Sequence, residues 1–297
     1  MAVLLGLLVA LFYGSGDFFG GLAAKRSRAS AVVIGSFFAS AICLTVIILG
    51  WAIVGTLPSP TRSDLLIGVA CGILAPPSLG LLYRGLAMGR MSVMAPITAV
   101  VAAVVPFTWG LLQGERPSPL AMAGVGIALA AVGLIAGAPP HVDDKAPTPD
   151  PSTHPAAGTI PTALASGLGF GLIFVLLGST TNDAGLWPLL AARLVAVVVA
   201  TTALVAWSRY RKVDPRPAVI PTSWPIVAVT GVLDITANGL YLAATNRGLL
   251  SIVAVLSSLY PASTVVLARL VLGERLHRAQ LVGLAMATAG VVAMASS

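Results

Sequence analysis

Long apolar runs, separated by short polar or Pro/Gly-rich breaks, dominate the chain. A helix needs roughly 20 apolar residues to cross a bilayer, and ten runs are long enough. They cover residues 2–22, 31–54, 64–86, 91–112, 117–136, 159–179, 187–207, 222–246, 250–271 and 277–296. The runs are longer than barrel strands and do not alternate apolar with polar residues. The pattern therefore predicts an all-α membrane protein with ten transmembrane helices.

One polar stretch interrupts this pattern. Residues 137–158, GAPPHVDDKAPTPDPSTHPAAG, are rich in proline and too hydrophilic to pack into a core. We interpret this stretch as a linker between two units, residues 1–136 and residues 159–297. Each unit then holds five of the predicted helices.

The two units resemble each other at a constant offset of 159 residues. Gly72 then matches Gly231, Gly124 matches Gly283, and the tripeptide Gly-Glu-Arg at 114–116 recurs at 273–275. Five crossings leave the chain on the opposite face, so the second unit enters the membrane upside down. Inverted repeats are typical of alternating-access transporters. A channel or a structural assembly protein without solute coupling is the alternative, although neither requires such a duplication.

The composition agrees with a membrane location. Hydrophobic residues make up 57% of the chain and charged residues only 9%, and the mean hydropathy is +0.97. A soluble domain carries about 25% charged residues, so a soluble enzyme, a disordered chain and a nucleic-acid module are excluded. The expected partners are the lipid bilayer and a small-molecule substrate, with no nucleic acid, for a monomer or homodimer.

The net charge of +7 is distributed unequally between the two faces. The face of the loop after the first helix holds Lys25, Arg26, Arg28, Arg84, Arg90, Lys145, Arg209, Arg211, Lys212, Arg216, Arg269, Arg275 and Arg278. The other face holds Arg62, Arg116 and Arg247. Because basic loops remain in the cytoplasm, the charges predict that both chain termini lie outside.

Ionisable residues inside the runs are the candidate functional groups, because a charge at the bilayer centre costs about 2.5 to 3.5 kcal/mol on insertion scales. Asp234 lies near the middle of the eighth run, and Asn238 and Tyr241 follow on the same helical face. This stripe predicts a cavity wall that binds a polar substrate or a proton; a hydrogen-bonded contact between helices is the alternative. Arg193 is a candidate counter-ion for Asp234, a binder of a substrate carboxylate, or a side chain that reaches the interface.

Asp17 interrupts the first run and shares a helical face with Tyr13. We include both residues in the candidate substrate- or proton-binding site. A purely structural ion pair between Asp17 and Arg84 is the competing interpretation.

Several other residues have structural interpretations. Pro96, Pro106 and Pro261 lack an amide hydrogen and are expected to kink their helices. Glu115 and Glu274 are expected to be loop or helix-start carboxylates.

The residues argue against an enzyme, a metal site and a cofactor. All three histidines, His141, His154 and His277, lie in predicted loops, which opposes intramembrane serine proteases and metalloproteases. The spans carry too few clustered carboxylates for a metal-dependent phosphotransferase, and no Walker motif is present. Cys43 and Cys71 lie inside apolar runs, where cysteine is a small core residue.

Three segments resemble one transporter family. YGSGDFF at 13–19 is similar to the segment that opens the first repeat of EamA-type drug/metabolite transporters, with Tyr13 where that family usually has Trp. LLQGER at 111–116 and LVLGER at 270–275 resemble the segment between the last two helices of each EamA repeat. The resemblance implies a ten-helix transporter in a bacterial-type inner membrane, often an exporter of metabolites, amino acids or drugs. It also implies both termini inside, opposite to the charge distribution.

Overall fold

All regular secondary structure in the described part of the chain is helical. The computed structural model describes residues 1–24, 27–55, 57–88, 91–137, 159–212, 223–272 and 276–296. The first five helices are α1 (Ala2–Ala24), α2 (Ala29–Val54), α3 (Arg62–Met88), α4 (Met91–Leu112) and α5 (Pro119–Gly137). The others are α6 (Thr159–Gly178), α7 (Trp187–Arg211), α8 (Trp224–Thr245), α9 (Leu250–Ser257), α10 (Tyr260–Leu272) and α11 (Arg278–Ala295). A single 3-10 turn, Asn182–Ala184, precedes α7.

The helices follow the apolar runs because a chain in lipid must satisfy its backbone hydrogen bonds within each segment. Within the described residues, eight stretches are long and apolar enough to cross a membrane, and Leu250–Val271 counts as one of them. Ile97–Leu112 and Pro119–Ile135 are shorter apolar helical stretches. Large apolar side chains such as Ile53, Val198 and Leu270 are exposed on the outside, which suits a lipid environment. The chain is a multi-pass, all-α membrane protein.

Proline has different effects in different helices. The ninth predicted run is divided at Ser258–Leu259, immediately before Tyr260 and Pro261, into α9 and α10. In contrast, α3 continues as a helix through Pro76 and Pro77, and α4 is assigned as one helix over its whole length. Where a kink was expected at Pro261, the structure has an interruption of the helix at Ser258–Leu259.

Helices from the two ends of the chain interleave. Helix α1 packs on α8, α9 and α10, and α6 packs on α3 and α4. Helix α2 packs on α7 and α8, whereas α3 packs on α7. Helices α5 and α11 pack mainly on each other, and α5 also packs on α4, α9 and α10. The core therefore lies at the interface between residues 1–137 and residues 159–296, and helices of both segments form it.

Small residues allow this close packing. The Gly72 backbone lies against the Ala192 carbonyl, so that a Cβ atom built on Gly72 would be only 2.5 Å from that oxygen. Gly231 lies in the same way against the Ser36 carbonyl, at 2.4 Å. Small residues at such crossings let two backbones approach in the membrane, where packing and hydrogen bonding hold helices together.

We name the two ends of the helix bundle for use below. The terminal end holds the start of α1, where Ala2 contacts Gly248. The basic end is the opposite one, where α1 ends, α2 begins and α7 ends. The linker predicted over residues 137–158, with His141 and His154, lies outside the described residues except for Gly137.

Candidate functional site

A buried ion pair joins α7 to α8 inside the bundle. Arg193 Nη2 donates a hydrogen bond to Asp234 Oδ2 over 2.5 Å. Only 9% of the Arg193 side chain is exposed, against 32% of the Asp234 side chain. The guanidinium also lies over the Phe37 ring, 5.3 Å from its centroid. The ion pair and the aromatic face together compensate the cost of burying a cation.

The rest of the arginine head group is not fully satisfied. Arg193 Nε is buried and has no hydrogen-bond partner among the described residues. A buried donor without a partner costs roughly 1–3 kcal/mol, and more when it is charged. Arg193 therefore keeps one donor without a partner in the described part of the protein.

The ion pair borders a cavity of about 150 Å³. Both ends of the chain contribute to its wall, which comprises Tyr13, Asp17, Phe37, Ala75, Leu79, Leu82, Ala102, Phe170, Ile173, Phe174, Arg193, Asp234, Asn238 and Tyr260. Most of these side chains are apolar or aromatic, and the charged groups are few. Ligand sites commonly combine such walls with a few polar groups that orient the ligand.

The wall contains most of the residues that the sequence predicts for the site. Tyr13, Asp17, Arg193, Asp234 and Asn238 all lie there. Arg193 is a counter-ion of Asp234 and does not extend to the interface, because its side chain is almost fully enclosed. The prediction that these residues bind substrate or protons is not tested by their position.

Tyr241 has a different environment from its neighbours on α8. Its side chain is fully buried in an apolar cluster with Val9, Leu44 and Val253. The Tyr241 hydroxyl donates to the Phe174 carbonyl over 3.2 Å, and the two rings lie 4.8 Å apart. This residue closes the cavity towards the terminal end and is not part of the wall.

Asn238 stabilises the α8 side of the site. Its Nδ2 donates to the Asp234 carbonyl over 2.8 Å and lies 3.5 Å from Asp234 Oδ1. The Asn238 amide, one helical turn after Asp234, therefore lies beside the Asp234 carboxylate. Asn238 is itself only 5% exposed.

Asp17 is the second carboxylate of the wall. It is exposed and lines the cavity, and no hydrogen bond or ion pair from it exists within the described residues. The partner predicted from the sequence, Arg84, has a side chain outside the described part of the chain.

The aromatic part of the wall was missed by the sequence analysis. Phe37, Phe170, Phe174 and Tyr260 stand in apolar runs where many large side chains face lipid or the core. These four residues differ from the other large apolar residues only because α2, α6 and α10 meet at the cavity. Their sequence positions carry no signal of their own.

Two carboxylates outside the cavity connect loops at the terminal end. Glu115 accepts hydrogen bonds from the backbone amides of Leu250 and Ser251, at 2.7 and 3.0 Å, at the start of α9. The expectation of a helix-start carboxylate is thus met for Glu115, although the helix is not its own. Glu274 lies outside the described residues.

Asp64, which the sequence analysis did not select, makes a similar connection. Its side chain is 1% exposed and accepts from the Thr181 amide over 2.8 Å. The Thr181 and Thr61 hydroxyls also donate to it. The loop before α3 is therefore held to the loop after α6.

A family model matches the second half of the chain. Residues 158–296 match the model of the EamA-like transporter family. This half is therefore an EamA-like unit, and the match supports the resemblance to EamA-type transporters of the drug/metabolite transporter superfamily. None of the curated proteins compared with this chain matches it.

A solved protein crystal structure has the same fold as this chain. The two superimpose with a TM-score of 0.69 at 16% sequence identity, and the match covers 99% of this chain and 98% of that chain. At this identity the likeness extends to the fold alone. Within the described residues of this chain, no three His, Cys, Asp or Glu side chains form a group that could hold a metal ion.

Proposed function

We propose that this chain is an EamA-type alternating-access transporter built from two inverted five-helix repeats. The α5–α11 contact supports the duplication. A Cβ atom on Gly124 would lie 2.8 Å from the Gly290 carbonyl, and one on Gly283 would lie 3.1 Å from the Ala131 carbonyl. One offset of 159 residues takes Gly124 to Gly283 and Ala131 to Gly290. The two contacts are therefore related by the same exchange of halves.

The same exchange explains why the cavity is chemically asymmetric. Gly72 contacts Ala192 and Val195, whereas its counterpart Gly231 contacts Ser36 and Ala39, so positions in α7 and α2 correspond at an offset of 156. That offset relates Arg193 to Phe37, and the offset of 159 relates Asp234 to Ala75. The second repeat thus supplies the ion pair, and the first supplies an aromatic ring and a small apolar residue.

The observation that carries the proposal is the ion pair on the cavity wall. An intramembrane pair facing a cavity marks a substrate or ion pathway. In our proposal a substrate carboxylate or phosphate binds the guanidinium of Arg193, and Asp234 accepts from the substrate's donors. A water molecule occupies about 30 Å³ of liquid, so 150 Å³ suits a solute of metabolite or amino-acid size.

We assign the possible proton-linked role to Asp17. Asp234 is engaged by Arg193, whereas Asp17 lines the same cavity without a hydrogen bond from any described residue. A carboxylate of this kind can bind a proton in one conformation and release it in another. We further propose export as the direction, a bacterial-type inner membrane as the location, and a monomer or homodimer as the working unit.

Reconstitution into proteoliposomes tests the proposal. Uptake of a metabolite panel is measured with and without a pH gradient for the wild type, Asp234→Asn, Arg193→Gln and Asp17→Asn. Asp183→Asn is the matched control, because Asp183 lies exposed at the loop before α7. Loss of transport in the first two variants, with the control active, supports the site, and loss of the gradient dependence alone in Asp17→Asn supports the coupling role.

Counterflow separates a carrier from a channel. A carrier exchanges labelled solute against unlabelled solute on the other side, and this exchange accelerates its flux. Unlabelled solute does not accelerate the flux through a channel. Flux without counterflow contradicts alternating access, and full transport by Asp234→Asn contradicts the proposed substrate contact.

A further inference from the structure

A second, larger cavity lies on the outside of the bundle. It has a volume of about 600 Å³ and lies between α2, α3 and α7. Its wall consists of Ser30, Val33, Ile34, Ile73, Pro76, Pro77, Gly80, Val199, Ala200, Ala203 and Leu204. We call this cavity the lateral groove. Ile73, Pro77, Gly80 and Ala203 are exposed, so the groove opens towards the surrounding membrane.

The groove forms where α3 and α7 separate. The two helices are in close contact at Gly68 and Gly72, whose Cβ atoms would lie 2.3 and 2.5 Å from the Pro188 and Ala192 carbonyls. One turn later come Pro76 and Pro77, which cannot donate backbone hydrogen bonds. Beyond them a Cβ atom on Gly80 would meet nothing within 4 Å.

The positions of α8 that correspond to Pro76 and Pro77 are packed differently. The offset of 159 relates Pro76 and Pro77 to Ile235 and Thr236, and Ile235 is 4% exposed in the core. Helix α8 therefore packs at Ile235, where α3 borders the groove.

Cationic side chains flank the groove at the basic end. Arg28 precedes α2, two residues before the groove residue Ser30, and is exposed. Arg209, Arg211 and Lys212 lie at the end of α7, one to two turns beyond Leu204, and are also exposed. Apolar space inside the membrane thus continues to a cluster of positive charge at its surface.

We propose that the lateral groove binds one acyl chain of an anionic phospholipid, with the lipid phosphate held by Arg28, Arg209, Arg211 and Lys212. The aliphatic wall separates the bound acyl chain from the surrounding lipids. A basic pocket between transmembrane helices attracts an anionic head group. An aliphatic chain fits the wall because, among the described residues that line it, the only hydroxyl group belongs to Ser30. The site is distinct from the central cavity, since Ala75 and Leu79 of α3 face that cavity and Pro76, Pro77 and Gly80 face the groove.

Native mass spectrometry of the purified full chain in detergent tests the proposal. Equal concentrations of phosphatidylglycerol and phosphatidylcholine are added, and retained lipid is counted. Gly80→Leu is designed to fill the groove, since a Cβ atom at this position meets nothing within 4 Å. Gly126→Leu is the matched control, because Gly126 on α5 also has nothing within 4 Å of its Cβ position. Ala203→Leu is a second groove-filling variant, used if Gly80→Leu does not fold.

The expected result is retention of phosphatidylglycerol over phosphatidylcholine by the wild type and the control, and loss of that preference in the filled variants. Arg211→Gln with Lys212→Gln is expected to weaken phosphatidylglycerol binding about fivefold for each charge removed. Arg62→Gln with Arg247→Gln, which removes two charges at the other end, is expected to change nothing.

Three results overturn the proposal. The first is undiminished phosphatidylglycerol retention in both filled variants. The second is equal retention of the two lipids by the wild type, which removes the role of the basic residues. The third is a wild-type dimer that the filling substitutions convert to a monomer, since a second copy of the chain would then occupy the groove.

Discussion

Removing either member of the Arg193–Asp234 pair should destabilise the protein, but by different amounts. Loss of one partner from a fully buried pair costs roughly 3–5 kcal/mol, because the other charge is left uncompensated. Asp234→Asn leaves the Arg193 cation, whose side chain is 9% exposed, without a counter-ion, beside the Phe37 ring and a neutral amide. We expect a cost near the lower end of that range, about 3 kcal/mol.

Arg193→Gln leaves a carboxylate that is 32% exposed and lines the cavity, where water can hydrate it. We therefore expect about half that cost, roughly 1–2 kcal/mol. The neutral double variant leaves no uncompensated charge, so its cost should be less than the sum of the two. The coupling energy should fall in the range of roughly 0.5–3 kcal/mol that contacting residues show.

Thermal unfolding in detergent, followed by size-exclusion chromatography or tryptophan fluorescence, measures these differences. A chain of this size loses about 2 °C or more of Tm for each kcal/mol, so we expect Asp234→Asn to lower Tm by about 6 °C and Arg193→Gln by about 3 °C. Asp183→Asn serves as the exposed control. A larger loss in Arg193→Gln than in Asp234→Asn, or additive losses in the double variant, would refute the reasoning.

Three further predictions concern packing, loop contacts and orientation. Gly124→Leu should abolish the folded, monodisperse protein in gel filtration, because its Cβ would lie 2.8 Å from the Gly290 carbonyl; Gly126→Leu should elute normally. Glu115→Gln should lower stability by about 1–2 kcal/mol in the same thermal assay, since it weakens two charge-assisted hydrogen bonds; an unchanged Tm would contradict this. A cysteine at Ser296, in a chain without the native cysteines, should react with an impermeant maleimide in intact cells, whereas labelling only after lysis would reverse the orientation predicted from the charges.

The asymmetry of the two halves places the proposed chemistry on one side of the site. Helices α7 and α8 supply Arg193 and Asp234, whereas the corresponding positions of the first half carry Phe37 and Ala75. The Phe37 ring contacts the guanidinium of Arg193. Arg193 occupies the position in the other half that corresponds to Phe37. In the proposed duplication, both halves contribute to the cavity wall, and the second half alone contributes the ion pair.

The apolar runs determined most of the helices. The bilayer leaves a lipid-exposed segment little alternative to the α-helix, so α2, α7 and α8 lie within a few residues of the predicted runs. The division of the ninth run at Ser258–Leu259 was indicated only as a kink at Pro261. Whether proline bends or interrupts a helix depends on how its neighbours replace the missing hydrogen bond.

The sequence predicts those residues of the candidate site that are unusual within a membrane-spanning helix. Asp17, Arg193 and Asp234 stand out because charge is costly in the membrane, and the structure brings all three to one cavity. Helical periodicity placed Tyr241 on the same face of α8 as Asp234. Periodicity does not show how deeply a side chain on that face is buried. Its hydroxyl reaches the Phe174 carbonyl of α6, and no pattern along α8 alone records that contact.

The membrane class, the helices, the candidate charges and the proposed offset between the halves could be predicted from the amino-acid sequence, because each depends on local composition or spacing. The folded arrangement sets which helices meet. It paired Arg193 with Asp234, enclosed them with aromatic residues, joined Glu115 to α9, and opened the lateral groove beside Pro76. These features depend on contacts between residues far apart in the chain, and apolar residues that face lipid, core and cavity have the same local sequence pattern.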